Sequence, residues 1–478
     1  MLMIQFLMND QLISYDMERP DLTVLDYLRE HRYLRGTKEG CASGDCGACT
    51  VVMVKKGDHG LEYRNFNSCI TFLGSLHGKQ LITVEHLKDN DRLHPVQQAM
   101  VDQHGSQCGF CTPGFVMSLF CLYKTHQTGQ ITNHKENINE YLSGNLCRCT
   151  GYFPIVRAAT QSLTNTEPDQ FDRSAKTVSK ILTNINDQQG ETNFYAPKSV
   201  GELTRLKNDY PDARLLAGGT DLALEVTQQH KSLQKMIYLG EVQEIGTIHR
   251  TETEIEIGAT VTLDQLDIEL GDHFPELRAL LKRFGSRQIR NLGTVGGNIA
   301  NASPIADITP VLIAMNATCV LESIEGQRKV LLEEYFLGYK QTELLNKEFI
   351  RCITLPVPDD NMHLKISKVS KRMDDDISAI CLVALISVID GITSSIRIAC
   401  GGMAAIPKRA INCEKVFLDR PLQSSVIEQA KAALDQDFQP ISDVRASATY
   451  RMETAKNLLD RIYIELTDKS PATRVDQL

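Results

Sequence analysis

The sequence predicts a multidomain α+β protein. Its 478 residues, at roughly 150 residues per domain, suggest about three domains. A hydrophobic content of 42% beside 23% charged residues suits globular domains with real cores. Segments with strand and helix periodicity alternate in blocks along the chain. Cysteine usage then divides it: nine of the 14 cysteines fall in residues 1–150 and five beyond.

A net charge of −9 argues against nucleic acid as the main partner, which calls for a basic surface. The N-terminal run MLMIQFLMND is short, lacks a preceding basic segment and ends in Asn9-Asp10, so it reads as a strand entering a turn rather than a signal peptide. No apolar stretch approaches the ~20 residues that span a bilayer. No membrane partner is expected, and the expected location is cytoplasmic. In a reducing cytosol, cysteines serve metal ligation or redox chemistry more often than disulfides.

Residues 1–85 read as a small α+β unit. Ile4–Phe6 and Leu12–Ser14 flank the Asn9-Asp10 turn as a hairpin, Thr23 to Glu30 is a short helix capped by Thr23, and Val51–Val54 and Leu81–Val84 are strands. Residues 86–162 turn helical, with helices expected at Pro95–His104, Pro113–His126, Asn137–Leu142 and Ile155–Leu163, which fit a compact four-helix bundle. Residues 163–192 are polar and without sustained periodicity, a linker that is in part helical. Residues 193–362 resume mixed character, with a helix at Ser199–Tyr210 and short strands at Leu215–Ala217 and Glu254–Ile257. From residue 363 to 478 strand runs (Ile380–Ile389, Ile396–Cys400) precede helices (Ser425–Leu434, Ser447–Leu466).

Two cysteine groups carry chemistry. In GCASGDCGACT, Cys41, Cys46 and Cys49 are spaced C-x4-C-x2-C, and Cys69 follows after 19 residues. This is the plant-type ferredoxin spacing for one [2Fe–2S] cluster. Gly40, Gly44 and Gly47 let backbone wrap closely around inorganic sulfide. Structural zinc usually takes paired C-x2-C knuckles, and only one such pair occurs here. The second group is Cys108 and Cys111 in SQCGFCTPG, then, after 35 residues, Cys147 and Cys149 in GNLCRCTGY. Both pairs fall where loops meet helix ends, where a helix N-terminus favours an anionic thiolate centre. From spacing alone this second group fits either zinc or iron–sulfur. Cys121, Cys319, Cys352, Cys381, Cys400 and Cys413 sit among apolar residues and read as small buried hydrophobes.

No G-x-G-x-x-G occurs, so a Rossmann fingerprint is absent. The P-loop-like stretch from Gly74 to Gln80 is one residue short and lacks the final hydroxyl residue. Two other glycine-rich stretches stand out, LLAGGTDL (215–222) and GTVGGNIANASPIAD (293–307). Paired glycines can expose successive N–H groups as a nest for pyrophosphate oxygens, Thr220 and Thr294 add hydroxyls, and Asp221 and Asp307 could accept from ribose or flavin groups. Read from sequence alone, such stretches are more often plain turns.

The order of all eight cysteines, in CASGDCGACT, QCGFCTPG and GNLCRCTGY, resembles the molybdenum hydroxylases, the xanthine dehydrogenase and aldehyde oxidase family. That resemblance implies a β-grasp ferredoxin-like [2Fe–2S] domain (1–85), a four-helix [2Fe–2S] bundle (86–162), a two-part α+β FAD-binding domain (193–362) and an α+β flavoprotein C-terminal domain (363–478). It implies that Cys41, Cys46, Cys49 and Cys69 hold one cluster and Cys108, Cys111, Cys147 and Cys149 the other. Gln107 and Cys149 match positions that approach the pterin of a molybdenum chain. FAD contacts carry over to Leu215, Leu216, Ala217, Gly218, Gly219, Thr220, Asp221, Leu222, Phe284, Thr294, Val295, Gly296, Gly297, Asn298, Asp307, Ile350 and Lys368; at Ile350 some relatives have Leu.

Iron–sulfur and flavin parts fused without a molybdenum part most resemble the small subunit of the bacterial members. The implied partner is a large subunit carrying the molybdopterin cofactor, in a heterotetramer with two copies of each chain. The implied activity passes electrons from purine oxidation (hypoxanthine and xanthine to urate) through both clusters and FAD to NAD⁺. No side chain here is expected to act as a catalytic acid or base. Two other readings stay open: the equivalent subunit of a hydroxylase acting on aldehydes or N-heterocycles, and a zinc-stabilised interaction protein.

Overall fold

Ile4 and Phe6 alternate inward along the strand Met3–Met8, and Asn9, in the left-handed region at φ 59°, turns the chain back into Gln11–Asp16. This is the hairpin the sequence predicts, in a computed structural model that describes residues 3–57, 60–129, 135–185, 193–468 and 472–474. The hairpin opens a five-stranded sheet ordered Gln11–Asp16, Met3–Met8, Gln80–Ile82, Thr50–Gly57, Gly60–Asn67. Met3–Met8 and Gln80–Ile82 run parallel and the other neighbours antiparallel. Thr23 caps the predicted helix by accepting from Asp26 N at 3.1 Å; the helix continues through Tyr27–His31 as a π-helical turn. Strand Gly60–Asn67 is a finding the sequence reading lacks, because its alternation is short: Asn65 stands where Leu61 and Tyr63 call for a third apolar residue.

The four expected helices form as Pro95–Asp102, Thr112–Gln127, Lys135–Leu142 and Phe153–Ser162, three of them with proline in the first turn. Phe115, Leu119 and Leu122 lie at 0% exposure in a core that the sheet's second face joins through Val52, Val54 and Ile82. The polar stretch after residue 163 contains a helix, Gln170–Thr183, and residues 186–192 lie outside the described residues. Val178 and Leu182 on that helix pack on Leu7 of the first sheet. A parallel three-stranded sheet, ordered Phe194–Tyr195, Met236–Tyr238, Arg214–Leu216, and the segment 285–293 complete this first compact unit.

The second unit takes residues 207–211, 243–284 and 294–478. It holds an antiparallel sheet ordered Gly326–Leu331, Thr318–Ser323, Phe349–Pro356, Glu254–Gly258, Ile248–Arg250. A second antiparallel sheet is ordered Met362–Val369, Ile380–Ile389, Ile392–Gly401, Lys408–Arg409. Strand Ile380–Ile389 is apolar but for Ser387 because it is covered twice. Ile380, Leu382, Ala384 and Ile386 face the helices Ile411–Phe417, Ser424–Asp437 and Ala448–Thr467, while Cys381 and Val383 face the core around Ile308–Ala314. Cys121, Cys319, Cys352, Cys381, Cys400 and Cys413 are all buried, and none of them forms a disulfide. Among the described residues no helix is long and apolar enough to cross a membrane.

A buried charge group fastens the helix Gln170–Thr183. Asp169 caps it, accepting from Phe171 N and Asp172 N at 2.8 and 2.9 Å. The same carboxylate meets Lys124 Nζ at 3.2 Å and accepts from His94 Nε2 at 3.1 Å, and His94 Nδ1 accepts from Val96 N. Burial raises the Asp169 carboxyl, but the His94 hydrogen bond and the Lys124 charge outweigh it and hold the group well below the usual carboxylate range. A depressed carboxyl contributes stability above its unfolded value of about 3.9, lost as pH falls through the folded value. Asp169→Asn should therefore cost roughly 3 kcal/mol at pH 7 by urea denaturation, and less at pH 3. It should also raise amide exchange along residues 170–183; equal cost at both pH values would contradict the linkage.

Candidate cluster and cofactor sites

Cys41, Cys46 and Cys49 lie on the loop entering strand Thr50–Gly57, and Cys69 lies on the 3₁₀ turn after Gly60–Asn67. The pairing of Thr50 with Asn67 brings the two segments together, so that Cys49 Sγ is 3.3 Å from Cys69 Sγ. Cys41 contacts the thiols of Cys46 and Cys69, which completes the foursome. These thiol–thiol hydrogen bonds hold Cys41 low and push Cys46 and Cys69 up. Four crowded thiols shed their protons together only when cationic metal is supplied, as an iron cluster does. The loop also fits such a cluster. Ala42, Gly44 and Gly47 have φ of 52°, 85° and 67°, and a Cβ on Gly40 would lie 2.7 Å from Cys46 Sγ. Ser43 N donates to Cys41 Sγ at 3.4 Å. Among the described residues no group of three or more His, Cys, Asp or Glu is arranged around a single metal ion.

The second foursome joins two loops of the helical module. Cys111 immediately precedes the helix Thr112–Gln127, without a side-chain capping bond, and Cys147 and Cys149 precede Phe153–Ser162. Burial first, and then the Cys147 thiol, push Cys111 up to about 12, and a hydrogen bond to Cys108 raises Cys149. Thr150 N donates to Cys147 Sγ at 3.5 Å. Tyr152 takes φ 66°, a strained value for a bulky residue, and its hydroxyl accepts from Cys147 N at 3.0 Å. Gly109 and Gly151 also have positive φ.

The two groups meet backbone to backbone. Leu146 N donates to Cys46 O at 3.0 Å, which ties the neighbour of Cys147 to a cysteine of the first group. A Cβ on Gly47 would strike Gly144 O, and one on Gly114 would strike Gly47 O. Gly47→Ala also puts a side chain at φ 67°, so it should cost roughly 1–3 kcal/mol in thermal unfolding. Gly109→Ala, with positive φ but open space around it, is the control and should cost less.

The two glycine-rich stretches, alike in sequence, differ in structure. In the first unit, Gly218-Gly219 turns out of the strand Arg214–Leu216, with Gly219 at φ 75° and Gly218 too close to Leu292 O for any side chain. Among the described residues no backbone N–H from Gly218 to Leu222 donates a hydrogen bond, as an anion nest requires. In the second unit, Thr294 caps the helix Val295–Ala300 by accepting from Gly297 N at 3.1 Å. Val295 N, Gly296 N and Asn298 N are bonded to Val261 O, Ala259 O and Thr294 O. The amides of Val295 to Asn298 are thus all bonded within this unit, and Thr294 acts as a cap. What remains open there is Asn298 Oδ1, a buried acceptor without a hydrogen-bond partner.

Phe284, Asp307 and Lys368 come together in that unit. Lys368 Nζ lies 2.6 Å from Asp307 Oδ2 and 6.0 Å from the Phe284 ring centre, and Ser378 Oγ donates to Asp307 Oδ1 at 2.5 Å. Ile350 is 6% exposed and lies in the sheet core. Leu216 and Val295 are likewise core residues. The sequence reading missed Tyr152, Thr150, Asn145 and Gln288, which touch the cysteine segments. Their signal was proximity in chain to a cysteine for the first three, and none for Gln288.

Four family models match in order: "2Fe-2S iron-sulfur cluster binding domain" at residues 7–74, "[2Fe-2S] binding domain" at 83–160, "FAD binding domain in molybdopterin dehydrogenase" at 188–358 and "CO dehydrogenase flavoprotein C-terminal domain" at 365–466. The chain is similar to xanthine dehydrogenase of Emericella nidulans, 31% identical over 99% of this chain and 39% of that protein. It thus spans about two-fifths of the length of the curated relatives it matches. Among solved structures it is similar to carbon monoxide dehydrogenase from Hydrogenophaga pseudoflava, at TM-score 0.54 and 28% identity, over 57% of this chain and 96% of that one. Quinoline 2-oxidoreductase from Pseudomonas putida 86 shares the fold, at TM-score 0.54 and 24% identity, over 58% of this chain and 96% of that one. Two [2Fe–2S] domains, an FAD-binding domain and a flavoprotein C-terminal domain in this order assign the chain to the molybdenum hydroxylase family, as its iron–sulfur and flavin part.

Proposed function

We propose that this chain is the electron-transfer subunit of a xanthine dehydrogenase. It would pass electrons from oxidation of hypoxanthine and xanthine to urate, on a molybdenum-binding partner chain, to NAD⁺. The observation that carries this is the pair of four-thiol groups joined through the Leu146 N–H to Cys46 carbonyl contact. When bound, the clusters and FAD supply one-electron storage and its conversion to hydride transfer. The chain's own residues would hold those groups and keep water from the buried side of the first. Cys49 and Cys69, at 1% and 2% exposure, seal the first group.

Cys108 and Cys149 are exposed, and so are Phe110, Leu146, Tyr152 and Phe153, close to them in the chain. This exposed apolar surface suits the face toward the molybdenum chain, in a heterotetramer with two copies of each chain. As FAD contacts of the first unit we propose the open amides of Gly218–Leu222; as FAD contacts of the second unit, taken by itself, we propose Phe284, Asn298, Asp307 and Lys368. The relatives named xanthine dehydrogenase favour purine as substrate. The likeness to carbon monoxide dehydrogenase supports a second reading, the same subunit in another hydroxylase.

The complex copurified with its molybdenum chain should reduce NAD⁺ with xanthine and hypoxanthine. Activity confined to an aldehyde or an N-heterocycle would select the second reading. Cys46→Ser should abolish the first cluster's EPR signal and keep the second's. Survival of both signals unchanged would contradict the ligand assignment.

A further inference from the structure

A buried polar hub lies between the two cysteine groups and has no part in holding either one. Gln288, on the segment 285–293 of the first unit, is 1% exposed. Its Nε2 lies 3.2 Å from Thr50 Oγ1, 3.3 Å from Ser118 Oγ and 3.1 Å from Asn145 Oδ1. Each acceptor belongs to a cysteine segment. Thr50 follows Cys49, Ser118 is on the helix that Cys111 precedes, and Asn145 precedes Leu146 and Cys147.

The protons of the hub are all assigned. The Thr50 hydroxyl donates to Gly47 O at 2.7 Å, and the Ser118 hydroxyl donates to Asn145 Oδ1 at 2.6 Å. Asn145 Nδ2 donates to Gly47 O at 3.0 Å and to Thr50 Oγ1 at 3.4 Å. With the hydroxyl protons spent, all three oxygens meet Gln288 as acceptors, each beside one other donor (Asn145 Nδ2, Asn65 Nδ2 and Ser118 Oγ respectively for Thr50, Ser118 and Asn145), and the two N–H groups of the amide are shared among them. Gln288 Oε1 points at Gly144, where a Cβ would collide with it, and has no hydrogen-bond partner. An unpaired buried acceptor is costly, so the donor end accounts for the residue. The segment itself is anchored: Asn291 Nδ2 donates to Asn65 Oδ1 at 2.9 Å, and Arg290 pairs with Glu140 at 2.9 Å.

We propose that Gln288 is a positioning residue that fixes the separation of the two cysteine groups, an inference that rests on their reading as [2Fe–2S] sites. By holding Asn145 it holds the next amide, Leu146 N, on Cys46 O. Two variants test this in the holoprotein. Gln288→Glu sets a carboxylate against three acceptor oxygens, and Gln288→Met keeps the length without a donor. With both clusters reduced, spin–spin coupling should split the EPR signals of the wild type, and its absence there would overturn the inference. Loss or narrowing of that splitting in either variant, with each cluster's own g-values kept, is the expected result.

Unchanged splitting in both variants overturns the inference. So does loss of both clusters in both variants, which would make Gln288 a folding residue only. Absence of two iron signals from the wild type would overturn the cluster reading, and this inference with it.

Discussion

Leu146 N–H donates to the Cys46 carbonyl across a contact of Gly47 with Gly114 and Gly144, and three constraints meet there. Two loops, each already bent around thiols, must approach until backbone touches backbone. No side chain fits between them, so glycine is required on both sides. The polar groups buried by that approach must also be paired, which is why Asn145, Ser118, Thr50 and Gln288 form a hub instead of an apolar plug. The sheet and the four helices share a core behind this contact, so its geometry is inherited from ordinary packing through Val52, Val54 and Phe115.

That arrangement links fold to function through distance. Electron carriers need fixed separations more than they need reactive side chains, and the protein's contribution is placement and local electrostatics. The two groups are unequal in surroundings. The first is nearly sealed at Cys49 and Cys69, while Cys108 and Cys149 of the second reach solvent. A carrier that takes electrons from another chain needs one accessible end. The chain spans about two-fifths of the length of the curated relatives it matches.

Much of this was legible in the sequence. The hairpin at Asn9-Asp10, the proline-started helices and the doubly covered strand Ile380–Ile389 follow from local turn chemistry and from runs long enough to show their period. Strand Gly60–Asn67 was not legible, since its polar residues are placed by pairing with Thr50–Gly57. The helix Gln170–Thr183 was half visible. Its signal was the local Asp169/Asp172 capping box, but its docking depends on Lys124 and His94, far away in the chain. The first cysteine group was readable because a cluster loop restricts residue type and spacing together; the second was readable as a metal-type spacing, and only the family resemblance chose iron–sulfur over zinc. The glycine pairs were not, because a nest and a tightly packed helical turn call for the same residues. Gln288 carried no local signal: its role exists only once three separate segments have folded around it.

The central claim is that eight cysteines hold two [2Fe–2S] clusters in one unit. Iron, acid-labile sulfide, zinc and flavin analysis of the anaerobically purified chain, with EPR after dithionite reduction, tests it most directly. The account predicts iron and sulfide in the amount of two [2Fe–2S] clusters with one FAD per chain, and two distinct EPR signals. Zinc in place of iron at either cysteine group, or a single signal carrying all the iron, would contradict it.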